Sequence, residues 1–326
     1  MQPSSTPGAS RFVSSVLRTS GRRVIRSGIA LVPILFALLP AVKAEPKKEI
    51  ERAPFMWKAE SGRSTVYMLG SVHVARRDMY PLPAAVERAF RRSDVVVGEL
   101  NLSKLNPLDL IGEMTRQGSY PEGETLAQNL SPKTLELLKE RLEAEGMTMD
   151  EVSGYRPWMV NTILVMRRAT RAGFDPNLSI DMHYLQRAAA AGKRVAGLET
   201  PQQQFEAIAS GGKEVQDLAL RESLVQLDKF DGMMEALVKA WMRGDPEALE
   251  ASVKTHSLED PRLDPYHKAL IADRNKGMAE KILAHLKTGK TTFVIVGSYH
   301  LVGDDSIQAL LEKEGVEVVK VEGPGD

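Results

Sequence analysis

The chain has 326 residues, with 43 Lys and Arg against 43 Asp and Glu, and no cysteine. A hydrophobic share of 43% is enough for a sizeable core and excludes global disorder. Without cysteine there is no disulfide scaffold, no thiolate metal ligand and no thiol nucleophile.

The first 44 residues stand apart. Arg11, Arg18, Arg22, Arg23 and Arg26 precede any acid, and "GIALVPILFALLPAVKA" runs from Gly28 to Ala44. A basic region, an apolar region and small residues before Glu45 form the pattern of a secretory signal peptide. The apolar run is interrupted by Pro33 and Pro40. It is short against the roughly 20 residues that a spanning helix needs, so a retained anchor is the weaker alternative. Cleavage would place the mature chain in the periplasm or outside the cell, with membrane contact only through this segment beforehand. It would remove six bases and no acid, leaving 37 bases against 43 acids. A chain with that balance has no general attraction for nucleic acid, whose binding needs a basic face.

Residues 45–64 read as a polar lead-in, and residues 65–326 as one domain with a helical insert at about 201–290. "STVYMLGSVHV" (Ser64–Val74) is β-branched and aromatic and reads as a strand. "PLPAAVERAFRRS" is a short helix, and "DVVVGEL" (Asp94–Leu100) is a strand buried on both faces. Residues 105–145 read as helical. In "SPKTLELLKERLEAEG", Ser131 caps the start, Pro132 takes the first turn and Gly146 ends the helix. "YRPWMVNTILVMRRATRAG" and "SIDMHYLQRAAAAGK" are two further helices. "RVAGLET" (Arg194–Thr200) is a strand, and residues 201–290 are mostly helical. There the Met and Leu stripe of "FDGMMEALVKAWMRG" reads as core rather than as a partner surface. "TTFVIVGSYH" is a strand, followed by a helix over Ser306–Glu314 and a closing strand, "VEVVKVE". Strands separated by helices predict an α/β fold: a small, mainly parallel central sheet surrounded by many helices.

Four of these strands end in polar groups. They close with Gly70-Ser71-Val72-His73, Gly98-Glu99, Gly197-Leu198-Glu199 and Gly297-Ser298-Tyr299-His300. In parallel sheets ligands bind beyond the carboxyl ends of the strands, so these groups are expected along one rim. Two imidazoles with carboxylates suit a metal site or an acid–base pair. Glu199 also suits the cap of the helix that begins near Pro201. Asp181 is expected near the start of its helix, and His183 on the same helix reads as core or surface. His256, His267 and His285 read as surface. Ser71 and Ser298 are weak nucleophile candidates, since a histidine two residues on does not by itself activate a serine. No HExxH helix, GxSxG elbow, phosphate-binding loop or GxGxxG fingerprint is present.

These segments resemble the TraB/GumN family, also described as the Tiki/TraB/pheromone-shutdown group. "YMLGSVHV" and "VIVGSYHLVGDDSI" resemble its two G-x-x-H motifs. "VVVGEL" and "RVAGLETPQQQ" are similar to its glutamate strand and its Gly-Leu-Glu-Thr segment. "YRPW" and the "DRN" of Asp273–Asn275 are smaller matches. The resemblance implies a fold related to erythromycin-esterase-like proteins. It also implies His73, His300 and Glu99 as catalytic or metal-binding residues, with Glu199 of unassigned role. In the animal branch it implies a metal-dependent peptidase using manganese or cobalt; imidazole with carboxylate also suits zinc. One departure is bulky Tyr299 where small residues are usual, which is expected to narrow the pocket.

Three readings follow from the residues: a metal-dependent hydrolase acting on a peptide or protein, a metal-free esterase-like hydrolase, and a non-catalytic accessory protein of the envelope.

Overall fold

Two apolar runs, Val95–Gly98 and Thr291–Gly297, lie side by side as parallel strands in the interior of the sheet. Every residue of the first is buried, and in the second only Thr291 is partly open. Such runs need cover on both faces, and helices supply it. The computed structural model describes residues 52–254 and 260–323. The expected signal peptide, the cleavage site and His256 lie outside the described residues.

In chain order the elements are β1 (Met56–Ser61), β2 (Ser64–Ser71), α1 (Ala84–Arg92), β3 (Val95–Gly98), α2 (Pro107–Gly118), α3 (Leu126–Asn129), α4 (Pro132–Ala144) and α5 (Pro157–Arg171). Then come α6 (Ile180–Ala190), β4 (Arg194–Gly197), α7 (Pro201–Ile208), α8 (Gly212–Gln226), α9 (Phe230–Met242), α10 (Pro246–Lys254), α11 (Asp264–Leu270) and α12 (Ala272–His285). β5 (Thr291–Gly297), α13 (Ile307–Lys313) and β6 (Val318–Lys320) close the chain. The sheet order is β4-β3-β5-β2-β1-β6. The first four strands are parallel, and β1 is antiparallel to both of its neighbours. None of the helices among the described residues is long and apolar enough to cross a membrane.

β1 corrects the sequence reading, which counted residues 45–64 as lead-in. It pairs with β2 from Met56↔Leu69 to Ser61↔Ser64 across a two-residue turn. Lys58, Glu60 and Ser61 make "MWKAES" look polar, yet Met56, Trp57 and Ala59 are buried. The helical region 201–290 is also less of an insert than expected. Trp241, Met278 and Ile282 belong to the same core cluster as Val96, Phe293 and Ile295. Of the Met and Leu stripe in α9, Met242 is buried with them, and Met234 and Leu237 pack partly buried against the same cluster.

Local signals place the helix ends. Ser131 Oγ accepts from the Thr134 amide at 3.4 Å, Pro132 follows it, and Gly146 turns the chain at a φ of 66°. Leu138 and Leu142 of α4 pack against Leu164, Leu220 and Leu224 in a second, all-helical core. Each such burial contributes about 1.5–3 kcal/mol.

Candidate active site at the sheet rim

Register brings the strand ends together. Ser71 lies opposite Gly297, and Gly98 lies opposite Gly197. The next residues are therefore delivered to one rim. His73 follows β2 by two positions and Glu99 follows β3 directly. His300 sits in a one-turn 3-10 helix after β5, and Asp181 lies in the first turn of α6. An open cavity of about 350 Å³ lies there, lined by His73, Glu99, Asp181, Gln204, Arg274 and Gly297, with Leu102, Leu185 and Ile208 on its apolar walls.

Glu99 is the meeting point. Its Oε1 lies 3.9 Å from His73 Nε2 and 3.7 Å from His300 Nε2, and it accepts the Gly297 amide at 2.7 Å. Its Oε2 accepts from Arg274 Nη2 at 2.7 Å and from Gln204 Nε2 at 2.9 Å. Both donors also reach Glu199: Arg274 Nη2 and Nε lie 2.6 and 2.9 Å from its oxygens, and Gln204 Nε2 lies at 3.2 Å. The far nitrogens of both imidazoles are held as well. His73 Nδ1 faces Asp181 Oδ1 at 3.5 Å, and His300 Nδ1 lies 2.5 Å from Asn275 Oδ1. The Asn275 amide nitrogen donates to the Asp305 carbonyl at 2.7 Å, so its oxygen faces His300. His300 therefore donates from Nδ1 and keeps the lone pair of Nε2 for the rim.

The two histidines are pushed apart electrostatically. Burial, with the nearby charges of Arg274 and His73, outweighs the pull of Glu99 and takes His300 down to about 4. For His73, loss of solvation is overcome by the hydrogen bond and charge of Asp181 and by the charge of Glu99, which bring it up to about 9. Its ring is 63% exposed, so solvent in the open cavity screens part of this effect. Glu99 lies below the usual carboxylate range: burial works against its charge, but His73, His300, Arg274 and the Gly297 amide prevail. Asp181 is also lowered, since the His73 contact and the Ser71 hydroxyl overcome its burial. Near neutral pH the rim thus holds one protonated and one neutral imidazole between ionised carboxylates.

His73, His300, Glu99 and Asp181 converge, while the other candidates take different places. Glu199 does not cap α7, because Thr200 does so in a capping box with Gln203; Glu199 is the second carboxylate on Arg274. Ser71 Oγ donates to Asp181 at 2.6 Å, and Ser298 Oγ donates to the Ser71 carbonyl at 2.7 Å, so neither hydroxyl is paired with a histidine. Tyr299 does not narrow the cavity. It packs against the main core and bonds Ser252 on α10. His183 is half-buried, 2.9 Å from Arg187. His267 pairs with Glu222 at 3.2 Å, and His285 is partly buried rather than on the surface. Arg274, Asn275 and Gln204 received no role from the sequence. Their traces were present in "DRN" and in the glutamines after "GLET".

A metal would have to suit these donors. Among the described residues no three His, Cys, Asp or Glu side chains stand ready at coordinating distance. The donor chemistry nevertheless fits. Two Nε2 lone-pair positions face one carboxylate oxygen, and each Nδ1 is held by an oxygen, as in histidines that bind metals. Ligands sharing an ion through bonds of about 2.0–2.2 Å stand roughly 3 to 3.4 Å apart, so each imidazole would have to move closer to Glu99 Oε1 than its present 3.9 or 3.7 Å. Space is kept for this at Gly297, where a Cβ would lie 3.1 Å from His73 Nε2 and 3.2 Å from Glu99 Oε1.

A sequence model described as the TraB/PrgY/gumN family matches residues 55–320. The chain belongs to this family. Among curated relatives, the uncharacterized protein YbaP of Escherichia coli K12 is 22% identical over 250 residues, covering 77% of this chain and 89% of that protein. The metalloprotease TIKI2 of Danio rerio is 25% identical over 325 residues, covering 84% of this chain and 62% of that protein. No solved structure matches. The family match spans all four rim segments and begins at Phe55, just before β1.

Proposed function

We propose that the chain is an exported, metal-dependent hydrolase that cuts a peptide or related acyl bond at this rim. The observation that carries the reading is the pair of imidazole Nε2 atoms facing one oxygen of Glu99, with both Nδ1 atoms held from behind. The printed name of the TIKI2 relative, a metalloprotease, lends it support. His73, His300 and Glu99 would hold a divalent ion such as manganese, cobalt or zinc. When bound, such an ion polarises a carbonyl and acidifies water. Asp181 and Asn275 fix the two rings. Arg274 and Gln204 hold Glu99 ionised and orient it, leaving Oε1 towards the cavity. The apolar wall of Leu102, Leu185 and Ile208 excludes water from one side and suits an apolar side chain of a peptide or protein. The acid excess expected of the mature chain gives it no general attraction for nucleic acid. Cleavage after Ala44 would release it to the periplasm or the outside.

A metal-free hydrolase, the alternative that the sequence resemblance implies, is the second reading, and the split between the histidines favours it. Groups whose environments push their pKa values apart are natural acid and base partners. His300, neutral, would accept a proton from water at Nε2, and His73, protonated and open to the cavity, would donate one to the leaving group.

Metal analysis and peptidase assays of the mature chain, beside His73→Ala, His300→Ala and Glu99→Gln, separate these readings. The first expects bound metal that falls in both histidine variants, and activity that a chelator removes. Activity surviving chelation supports the second. Neither metal nor activity leaves a non-catalytic envelope role.

A further inference from the structure

Each Gly-Ser-x-His frame carries a serine that the rim chemistry leaves without a task. Ser71 is 2% exposed and Ser298 is 5% exposed, so both hydroxyls need a partner inside the protein. β2 and β5 run parallel from Thr65↔Thr291 to Ser71↔Gly297, and there the ladder stops. Beyond this pair the chain closes into the 3-10 turn Ser298–Leu301, which carries His300. The first side chain of that turn continues the pairing, for the Ser298 hydroxyl donates to the Ser71 carbonyl at 2.7 Å. The Ser71 hydroxyl donates in turn to Asp181 Oδ1 at 2.6 Å, and the same oxygen faces His73 Nδ1 at 3.5 Å. Against the burial that works to neutralise it, Asp181 stays ionised with the help of His73 and of this hydroxyl.

The glycines fit the same pattern. A Cβ at Gly70 would meet the Phe55 ring and would lie 3.2 Å from the Ser298 hydroxyl. A Cβ at Gly297 would lie 3.1 Å from His73 Nε2. The glycine of each frame therefore makes room for a side chain of the other. Gly70 is also pinned on both sides: its amide donates to the Phe55 carbonyl at 2.9 Å, and its carbonyl accepts from the Trp241 indole at 2.8 Å. The first frame is thus a fixed base against which the second is set.

We propose that Ser71 and Ser298 are positioning residues, and that the two Gly-Ser-x-His frames form one interlocked device that sets the placement of His73 against His300. Ser298 ties the turn of His300 to the end of β2, and Ser71 aims Asp181 at His73. Neither serine acts as a nucleophile, because each hydroxyl proton is committed to another acceptor. This assignment rests on the function proposed for the rim, in which both imidazoles act at one place.

Zinc affinity of the full chain, measured by competition with a fluorescent chelator, and denaturant unfolding are compared in Ser71→Ala, Ser298→Ala and Ser93→Ala. Ser93 is the control: it is 3% exposed, its hydroxyl donates to the Phe90 carbonyl at 2.7 Å, and it precedes β3 at the end of the sheet opposite the rim. All three variants should lower the unfolding midpoint, since each loses a buried hydrogen bond. Zinc affinity should fall about tenfold in the two frame variants, as when other supports of metal ligands are removed, and stay unchanged in Ser93→Ala. Asp181→Ala should lower affinity as well, and adding Ser71→Ala to it should cost no more, because Ser71 acts through Asp181. Unchanged affinity in either frame variant, or a fully additive Ser71→Ala and Asp181→Ala pair, overturns the proposal. Ser298→Ala decides the matter if Ser71→Ala fails to fold. A wild type that takes up no zinc ends the metal reading alone. Crystal structures of the wild type and Ser298→Ala then decide: a changed separation of the two imidazoles supports the device, and the same separation overturns it.

Discussion

His300 Nδ1 lies 2.5 Å from the side-chain oxygen of Asn275, and this contact decides which ring nitrogen faces Glu99. The chain bonds here across 25 residues, from the first turn of α12 to the turn after β5. Asn275 is fully buried, so nothing else competes for its amide. Replacing Asn275 by Ala should cost roughly 1–3 kcal/mol in denaturant unfolding, because His300 Nδ1 and the Asp305 carbonyl both lose a partner. Metal affinity should fall about 10- to 100-fold, as when other supports of a ligand are removed. Unchanged affinity would show that Asn275 only fills space.

Gly297→Ala adds one methyl group to the floor of the site. The new Cβ would press on His73 Nε2 and Glu99 Oε1 at 3.1 and 3.2 Å. Its expected cost in stability is about 1–3 kcal/mol, the usual range for overpacking. Hydrolysis or metal uptake should fall further than stability does. Circular dichroism and calorimetry would show a folded chain with a damaged site, whereas wild-type activity would place the reaction elsewhere.

Arg274 is the counter-charge for two carboxylates, Glu99 and Glu199, whose side chains are only 12% and 6% exposed. Arg274→Gln should cost about 3–5 kcal/mol, the range for leaving a buried charge without its partner. Arg274→Lys keeps the charge but loses the fork that reaches both acids, so an intermediate loss is expected. Adding Glu199→Gln to Arg274→Gln should recover part of the loss. A strictly additive double mutant would contradict the shared clamp.

The two histidines should bend the pH–stability profile of the metal-free chain in opposite directions. His73 is raised from about 6.5 to about 9, so its contribution is complete below pH 6.5 and disappears as pH rises through 9. His300 is lowered to about 4, so its contribution is present above pH 6.5 and is lost as pH falls towards 4. Stability should therefore peak near pH 6.5. His73→Gln should flatten the alkaline limb and reduce the acidic limb only in part, because burial remains the main cause of the His300 shift once the His73 charge is gone. Denaturant midpoints measured from pH 4 to 9.5 with a chelator present would check this.

Metal binding should release a proton near neutral pH, because His73 is protonated in the metal-free rim. Calorimetric titration with zinc or manganese in buffers of different ionisation heat would count that proton. It should vanish in His73→Gln, and a proton count independent of His73 would remove that residue from the ligand set.

Much of this was legible from local chemistry. Continuous apolar runs ending in glycine mark β3 and β5, and Ser131, Pro132 and Gly146 bound α4, because a strand buried on both faces and a capped helix each leave a short-range imprint. The repeated Gly-Ser-x-His frame and the lone acid after "VVVG" single out His73, His300 and Glu99 as candidates by the same logic. β1 was hidden because a strand with one polar edge and only three buried residues gives a weak pattern. Arg274, Asn275 and Gln204 lie on helices whose sequence speaks only of periodicity. Their roles depend on which strand end each helix meets, 30 to 175 residues away in most contacts. The sequence by itself therefore determined most of the elements and singled out the candidate rim residues, through propensity, capping and apolar pattern. Only the tertiary structure decided that Tyr299 turns away, that Glu199 serves Arg274 rather than a helix, and that two imidazoles face one oxygen, because those outcomes are set by register and packing between segments distant in the chain.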